Sequence, residues 1–336
     1  MPQTPAQSAY NERRAAKARA RDTETVPQWP VIVPAAPVKV VVPKRKAPAL
    51  GGQWKTALIL PDTQFGFRWV DNQLDPFHDE PALDVSIQIA EAERPDLTIQ
   101  VGDLLDFPMF GTFRKEPGFQ RTTQPAIDAA YKYLATIREL TGELRVMEGN
   151  HDLRLQNYLL DNAAEAYGIH PAALPREWPL LSVPSLLRLD ELGAEYVDGY
   201  PGGATFIHDG LVVIHGTKVG GAGQTTAKAV LSGARISTIF GHVHRQETAY
   251  QSFPERDQAR TIFAHSPGCL SRIDGAVPGA MTGTKRGPYD RPARVFPDWQ
   301  QGVTIVRYNE TYQRAALEPV LIEQGSAIHR GELFYA

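Results

Sequence analysis

The chain has 336 residues, enough for one large domain or two modest ones, and its formal net charge of −3 does not by itself indicate a partner. Its single cysteine, Cys269, excludes an internal disulfide framework and a metal site made only of cysteines. The sequence has no apolar run long enough to span a bilayer and no apolar stretch typical of a signal peptide, so we expect a soluble, cytoplasmic protein.

Residues 1–50 differ in composition from the rest of the chain. This segment is basic, with the runs NERRAAKARARD and VVPKRKAP, and it is rich in proline. Repeated prolines in PQWPVIVPAAPVKVVVP are incompatible with a regular helix or a central strand. We predict a mostly disordered basic arm with a short helix at residues 11–21. Such an arm could bind nucleic acid or another partner, or it could be a solvated tail without a dedicated role.

From residue 54 onward, strand and helix patterns alternate. Short apolar runs predict strands at residues 55–60, 97–101, 144–148, 194–198, 204–208, 211–214, 235–240, 247–253, 261–267 and 302–309. Apolar residues at helical spacing predict helices at residues 81–93, 127–140 and 153–167, and residues 221–233 predict a glycine-rich turn with a short helix. The proline- and leucine-rich residues 170–189 are typical of an irregular or accessory segment. We therefore predict an α/β domain over residues 51–320 with a substantial antiparallel portion, followed by a C-terminal tail at residues 321–336.

Polar side chains follow five of the predicted strands. They are Asp62 and Gln64, then Asp103, then Asn150 and His151, then His215, and finally His242 and His244. In open α/β sheets, ligands bind at the carboxyl ends of the strands, so these five segments can converge. Carboxylate, amide and imidazole groups together are donors that borderline divalent metals prefer. If the backbone of GHVH is extended, its two histidines share a face and could serve two ions about 3.5–4 Å apart.

The motifs DTQ, GDLLD, GNHD, HG and GHVH occur in an order that resembles the calcineurin-like metallophosphoesterase superfamily. The match covers roughly residues 55–245. The resemblance implies a four-layer α-β-β-α sandwich, in which helices flank two mixed sheets, with a two-metal site at its edge. It also implies hydrolysis of phosphate esters by a water molecule that two divalent metal ions activate.

The resemblance further implies a role for each motif residue. One metal would be bound by Asp62, Gln64, Asp103 and His244, and the second by Asp103, Asn150, His215 and His242. His151 would lie near the substrate and protonate the leaving group, while Asp106 would hold its ring in the useful tautomer. Arg245, directly after GHVH, would help to bind phosphate or would form a surface salt bridge.

Gln64 departs from the family pattern, which usually has a histidine at this position. An amide oxygen is neutral and harder than an imidazole nitrogen, so it favours manganese or magnesium over zinc, with iron also possible. Alternatively, Gln64 only holds a metal-bound water.

Three functions stay open from the sequence. A nucleic-acid phosphodiesterase or nuclease suits the basic arm and the aromatic-rich residues 107–119, which could form a substrate-facing flap or pack against the sheet. A phosphomonoesterase acting on a small molecule or a phosphoprotein would need neither feature. A binding or scaffold protein that retains the fold without turnover is indicated only by Gln64. The oligomeric state cannot be read from the sequence.

Overall fold

A computed structural model describes residues 54–112, 115–172, 177–221, 223–256, 258–278, 280 and 297–336. The predicted arm at residues 1–50, with its helix at residues 11–21, lies outside the described residues. The described part has a mixed α/β fold.

Strands and helices follow in this order along the chain. The strands are β1 (Lys55–Leu60), β2 (Phe67–Val70), β3 (Gln73–Pro76), β4 (Leu97–Gln100), β5 (Glu143–Met147), β6 (Glu195–Val197), β7 (Ala204–His208), β8 (Leu211–Ile214), β9 (Ser237–Phe240), β10 (Gln246–Glu255), β11 (Gln258–Pro267), β12 (Gln301–Asn309), β13 (Arg314–Ile322), β14 (Ser326–His329) and β15 (Glu332–Tyr335). The helices are α1 (Glu80–Glu93), α2 (Thr123–Leu140), α3 (Arg154–Asn162), α4 (Val183–Leu186), α5 (Leu189–Leu192) and α6 (Thr225–Leu231), with 3₁₀ turns at Pro117–Phe119 and Ala164–Ala166.

Two large sheets make up most of the described part. The six-stranded sheet has the order β13-β12-β1-β4-β5-β6. Its strands β1, β4, β5 and β6 are parallel, while β12 and β13 close it in antiparallel register. The five-stranded sheet has the order β10-β11-β9-β8-β7, with β8, β9 and β11 parallel and an antiparallel strand at each edge. The predicted antiparallel portion is therefore confirmed.

The apolar side chains of β1 alternate between two clusters because successive residues of a strand point to opposite faces. Ala57 and Ile59 pack with Leu211 and Ile239, so this cluster joins the six-stranded and five-stranded sheets. The other face of β1 packs against helices α1 and α2, and Leu58 is fully buried there. Each large aliphatic side chain buried in this way stabilises the fold by about 1.5–3 kcal/mol.

The outer face of the five-stranded sheet packs against α6. Ala227 and Leu231 of this helix join Phe240 and Ile262 in a third apolar cluster. Both large sheets are therefore apolar on both faces, which explains the continuous apolar runs of their parallel strands.

Some elements differ from the sequence prediction. The helix predicted at residues 153–167 ends at Asn162, because Ala163 takes the non-helical angles φ −151° and ψ 51° before a 3₁₀ turn. The hairpin of β2 and β3 was not predicted. Its turn residues Asp71 and Asn72 have φ values of 49° and 61°, which Asp and Asn tolerate in tight hairpin turns. The Asp71-Asn72 pair was therefore a signal in the sequence from which this hairpin could have been predicted.

Residues 321–336, which the sequence predicts to be a tail, are folded against α1. The predicted boundary at residue 320 falls inside β13, and β14 pairs with β15 in a hairpin. The buried Glu93 carboxylate at the end of α1 binds His329 at 2.6 Å, Arg330 at 2.9 Å and Arg307 at 2.7 Å. This ionic cluster attaches the hairpin to the helix.

None of the helices in the described residues combines the length and apolar character that crossing a bilayer requires.

Candidate metal centre

The predicted ligand residues all follow parallel strands. Asp62 and Gln64 follow β1, Asp103 follows β4, and Asn150 follows β5 in the six-stranded sheet. The histidines follow β8 and β9 of the five-stranded sheet: His215 directly after β8, His242 and His244 after β9. The structure brings these segments of the two sheets together at the Asp103 carboxylate.

Tight backbone turns allow this convergence. Gly102 has a φ of 99°, and the following Asp103 has a φ of 51°. A Cβ on Gly149 would lie 2.2 Å from the Asp103 nitrogen, so only glycine permits the loops after β4 and β5 to approach this closely.

The backbone at GHVH differs from the extended form considered from the sequence. His242 has a φ of 67° and His244 a φ of 56°, so both take the left-handed conformation. The two histidines still belong to different ligand groups, which share Asp103. Left-handed non-glycine residues are strained and concentrate at functional sites, and Gln64, with a φ of 53°, belongs to the same set.

The first ligand group consists of Asp62, Asp103 and His244, whose donor atoms lie within 4.8 Å of one another. All three residues are buried. Nε2 of His244 lies 3.2 Å from an Asp62 oxygen. The backbone N–H of His242 donates to both oxygens of Asp62, at 3.0 and 3.1 Å, and so fixes that carboxylate.

Gln64 lies in the same group and provides a test of whether a metal fits there. Its Oε1 is buried without a hydrogen-bond partner, while its Nε2 lies 3.1 Å from an Asp103 oxygen and 3.5 Å from Nε2 of His244. Rotating the amide by half a turn would bring the oxygen to that position. Neighbouring ligands of a divalent ion with bonds of about 2.1 Å lie about 3 Å apart in octahedral geometry. These spacings and donor types fit a divalent cation.

The second ligand group consists of Asp103, His215 and His242, again within 4.8 Å. Nδ1 of His215 lies 2.8 Å from the Val101 carbonyl, which can only accept, so this nitrogen carries a proton. Nε2 is therefore the nitrogen available for a metal. It lies 3.4 Å from an Asp103 oxygen and 3.1 Å from Oδ1 of Asn150. Asp103 is thus common to both ligand groups.

The charges of the site hold Asp103 ionised. Burial disfavours its charged form, but the nearby His151 and His215 outweigh burial and hold the pKa of the carboxyl well below its ordinary value. The pKa of Asp152 changes in the opposite direction from that of Asp103, because burial and then the Asp103 charge raise it to about 7. The Asp152 carboxylate accepts hydrogen bonds from the backbone of Leu105 and Gly149, both at 2.9 Å, and so braces the two loops around Asp103.

The carboxylates in turn change the pKa values of the neighbouring imidazoles. Burial lowers the pKa of His215 and His244, but the Asp103 and Asp62 carboxylates outweigh it and raise these pKa values to about 9 and about 10. The pKa of His242 is lowered by burial and by the neighbouring His215. A metal ion must displace the protons of the first two rings, so its binding strengthens as pH rises.

His151 and Asp106 lie in direct contact beside Asp103. Nδ1 of His151 lies 2.8 Å from an Asp106 oxygen, so it donates to this carboxylate and the ring orientation is fixed. The backbone N–H of His151 donates to an Asp103 oxygen at 2.7 Å. Nε2 of His151 lies 3.0 Å from Nη2 of Arg154, whose Nη1 donates to the Asp106 carbonyl at 2.6 Å. Arg154 was not predicted from the sequence, because its place beside His151 comes from the first turn of α3.

Arg245 does not join this group in the described structure. Its side chain is buried, and Nη2 donates to the Gly220 carbonyl at 2.7 Å and to the Thr226 hydroxyl at 3.1 Å. Nε lies 3.6 Å from the buried Glu247 carboxylate. The expected salt bridge of Arg245 therefore exists, but it is buried rather than at the surface, and the other described contacts of Arg245 connect it to α6.

Two half-buried aromatic rings border the ligand groups. The Tyr200 ring contacts the His215 ring with a centroid distance of 5.6 Å, and the Trp299 ring contacts the His244 ring at 4.2 Å. Within residues 107–119, the buried Phe119 packs with Phe77 in an apolar cluster that also contacts Trp299. The described part of this stretch therefore supports packing, while residues 113–114 lie outside the described residues.

No family model matches the chain. Two relatives, each named Gene 54 protein, from Mycobacterium phages D29 and L5, are 24% identical over 276 residues, which is 80% of this chain and 94% of each relative. Among solved structures, Yfce, a phosphoesterase from E. coli, covers 79% of this chain and 98% of its own, with 12% identity and a TM-score of 0.31. The protein TT1561 of Thermus thermophilus covers 80% and 99%, with 10% identity and a TM-score of 0.29. Scores this low carry no conclusion, so the function is inferred from the site itself.

Proposed function

We propose that the chain is a metal-dependent phosphoesterase of the calcineurin-like metallophosphoesterase superfamily, with the four-layer α-β-β-α sandwich of that group. One observation carries the proposal: a buried carboxylate, Asp103, is shared by two groups of metal-ligating side chains. The order of motifs along the chain supports the same assignment, and so do the apolar clusters on both faces of each large sheet.

Each ligand group would hold one divalent ion. The first ion would be bound by Asp62, Gln64, Asp103 and His244, and the second by Asp103, Asn150, His215 and His242. When bound, two such ions neutralise the charge of a phosphate ester and lower the pKa of a bound water. The amide oxygen of Gln64 makes the first group richer in oxygen donors, which favours manganese over zinc.

His151 is the proton donor in this proposal. Its contact with Asp106 holds Nδ1 protonated, so Nε2 is the nitrogen that exchanges a proton with the leaving oxygen. Its backbone bond to Asp103 keeps the ring at a fixed distance from the ligand groups. Arg154 replaces Arg245 as the phosphate-binding residue in this proposal: it donates to Nε2 of the neutral His151 ring, and when substrate binds its guanidinium can pair with a phosphate oxygen instead, which frees Nε2 to carry the proton.

The test is a panel of phosphate esters assayed on the metal-free protein after addition of manganese, magnesium or zinc. We expect hydrolysis that depends on the added metal, is highest with manganese and is abolished by a chelator. Absence of hydrolysis with every ester and metal, for the wild-type chain and for Gln64→His alike, would overturn the proposal and favour a binding protein.

Within this function we propose a phosphodiesterase, including a nuclease, ahead of a phosphomonoesterase. The basic composition of residues 1–50 supports this order, since lysine and arginine clusters bind phosphate backbones. A tenfold or larger preference, on the order of 1.4 kcal/mol, for a bis-nitrophenyl diester over the nitrophenyl monoester is the expected result. The reverse preference would assign the chain to phosphomonoesters.

A further inference from the structure

Tyr200 lies beside the second ligand group without a role in the proposed reaction. It belongs to the turn between β6 and β7, and its half-buried ring meets the His215 ring edge-on, with an interplanar angle of 65°. Nε2 of that same histidine faces Asp103 and Asn150. The phenol ring is therefore part of the wall around the ligand groups.

The backbone of Tyr200 is fixed by Glu148. One oxygen of this carboxylate accepts hydrogen bonds from the N–H groups of Gly199 at 3.1 Å and Tyr200 at 3.0 Å. The other oxygen accepts from the Tyr196 hydroxyl at 3.3 Å. Glu148 directly precedes the GNHD segment, so the loop that carries Asn150 and His151 also sets the position of Tyr200.

The Tyr200 hydroxyl is a hydrogen-bond donor that the described residues do not use. The structure records no hydrogen bond from this group to any described residue, although neighbouring backbone groups of the turn are bonded. A phenol carries its proton at neutral pH because its ordinary pKa is about 10, and an anionic oxygen would be its natural acceptor.

We propose that the Tyr200 hydroxyl donates a hydrogen bond to a non-bridging phosphate oxygen of the substrate, on the side of Asn150, His215 and His242. This inference rests on the proposed function. The two groups then act on different oxygens of the substrate: His151 donates a proton to the leaving oxygen, and Tyr200 donates a hydrogen bond to an oxygen that stays on phosphorus. Tyr200 is then a catalytic residue, and Glu148 is a positioning residue that acts through it.

Tyr200→Phe tests the proposal, because it removes only the hydroxyl. We expect kcat/KM to fall by about 10- to 100-fold, the size expected for a hydrogen bond to a charged group. The fall should be equal for esters with good and poor leaving groups, and metal content should not change. The matched control is Tyr250→Phe on the exposed edge strand β10, which should behave as the wild-type chain.

A second readout does not depend on turnover. Calorimetry should show that inorganic phosphate binds more weakly to metal-loaded Tyr200→Phe than to the metal-loaded wild-type chain, by a similar factor. Equal phosphate affinity and activity within about twofold of wild type would overturn the role of Tyr200 while leaving the proposed function intact. A loss that grows with the pKa of the leaving group would also overturn it, since the hydroxyl would then serve the leaving oxygen. If the wild-type chain hydrolyses no ester, the proposed function fails, and phosphate binding still decides about Tyr200.

Glu148→Gln provides the test of positioning. We expect a smaller loss than in Tyr200→Phe, because the amide keeps one acceptor oxygen for the turn. The double variant should lose no more than Tyr200→Phe alone, since residues that act through one contact are not additive. Additive losses would show that Glu148 acts independently of Tyr200.

Discussion

Replacing Asp103 by asparagine removes one negative charge from the centre of the site with almost no change in shape. Burial lowers the pKa of His215, but the Asp103 charge is the main influence that outweighs burial and raises this pKa from 6.5 to about 9. This net rise corresponds to about 3 kcal/mol by which the folded state favours the protonated His215 ring, and the Asp103 charge is its main source. Because the folded-state pKa is raised, this contribution to the stability of the metal-free protein is complete below pH 6.5 and is lost as pH rises through about 9.

Two measurements check this prediction for Asp103→Asn. Urea unfolding of the metal-free protein should show a destabilisation of about 3 kcal/mol at pH 6 that becomes much smaller near pH 10. Titration with manganese should show that both ions are bound weakly or not at all, because both ligand groups lose the same carboxylate. The exposed Asp209→Asn is the control for a loss of charge elsewhere. Retention of two tightly bound ions in Asp103→Asn would refute the assignment of Asp103 as the shared ligand.

Three further predictions concern other parts of the molecule. His151→Ala should lower kcat by about 10²- to 10⁴-fold while metal content stays unchanged, and a loss of metal measured by elemental analysis would contradict its assigned role. Gln64→His should shift the preferred ion from manganese towards zinc in a competition assay, and an unchanged order of metals would mean that the amide does not contact the ion. Glu93→Ala should lower the free energy of unfolding by about 3 kcal/mol, because the buried His329 and the half-buried Arg307 lose the carboxylate that pairs with them. A change below about 0.5 kcal/mol would contradict that account of the hairpin attachment.

The strands and the residues that follow them could be predicted because both depend on local pattern. The apolar run before Asp62 and the one before Asp103 identify strands from length and composition alone, and they match β1 and β4. The carboxyl ends of parallel strands share one edge, so the position of the ligand residues follows from the fold class. The roles assigned to these residues remain predictions, but the structure places their side chains together.

The remaining parts of the site depend on contacts between distant segments, which no local pattern contains. Arg245 follows GHVH directly, yet its side chain turns to the carbonyl of Gly220 because α6 packs against that end of the sheet. Tyr200 reaches His215 only because Glu148 fixes the turn after β6. The left-handed backbone of His242 and His244 was also not predictable, since non-glycine residues adopt it only when the surrounding structure enforces it.

The ionic cluster at Glu93 has a consequence for how the domain folds. Its carboxylate on α1 meets His329 and Arg330 across sequence separations of 236 and 237 residues. Closing so long a loop is entropically costly and slow. Until the loop closes, the Glu93 carboxylate has no ionic partners and must stay hydrated, so the end of α1 cannot be buried. We therefore expect the end of α1 to become protected from amide hydrogen exchange late in refolding, in the same kinetic phase as β14 and β15, although in the sequence α1 lies between β1 and β4, which are neighbours in the six-stranded sheet.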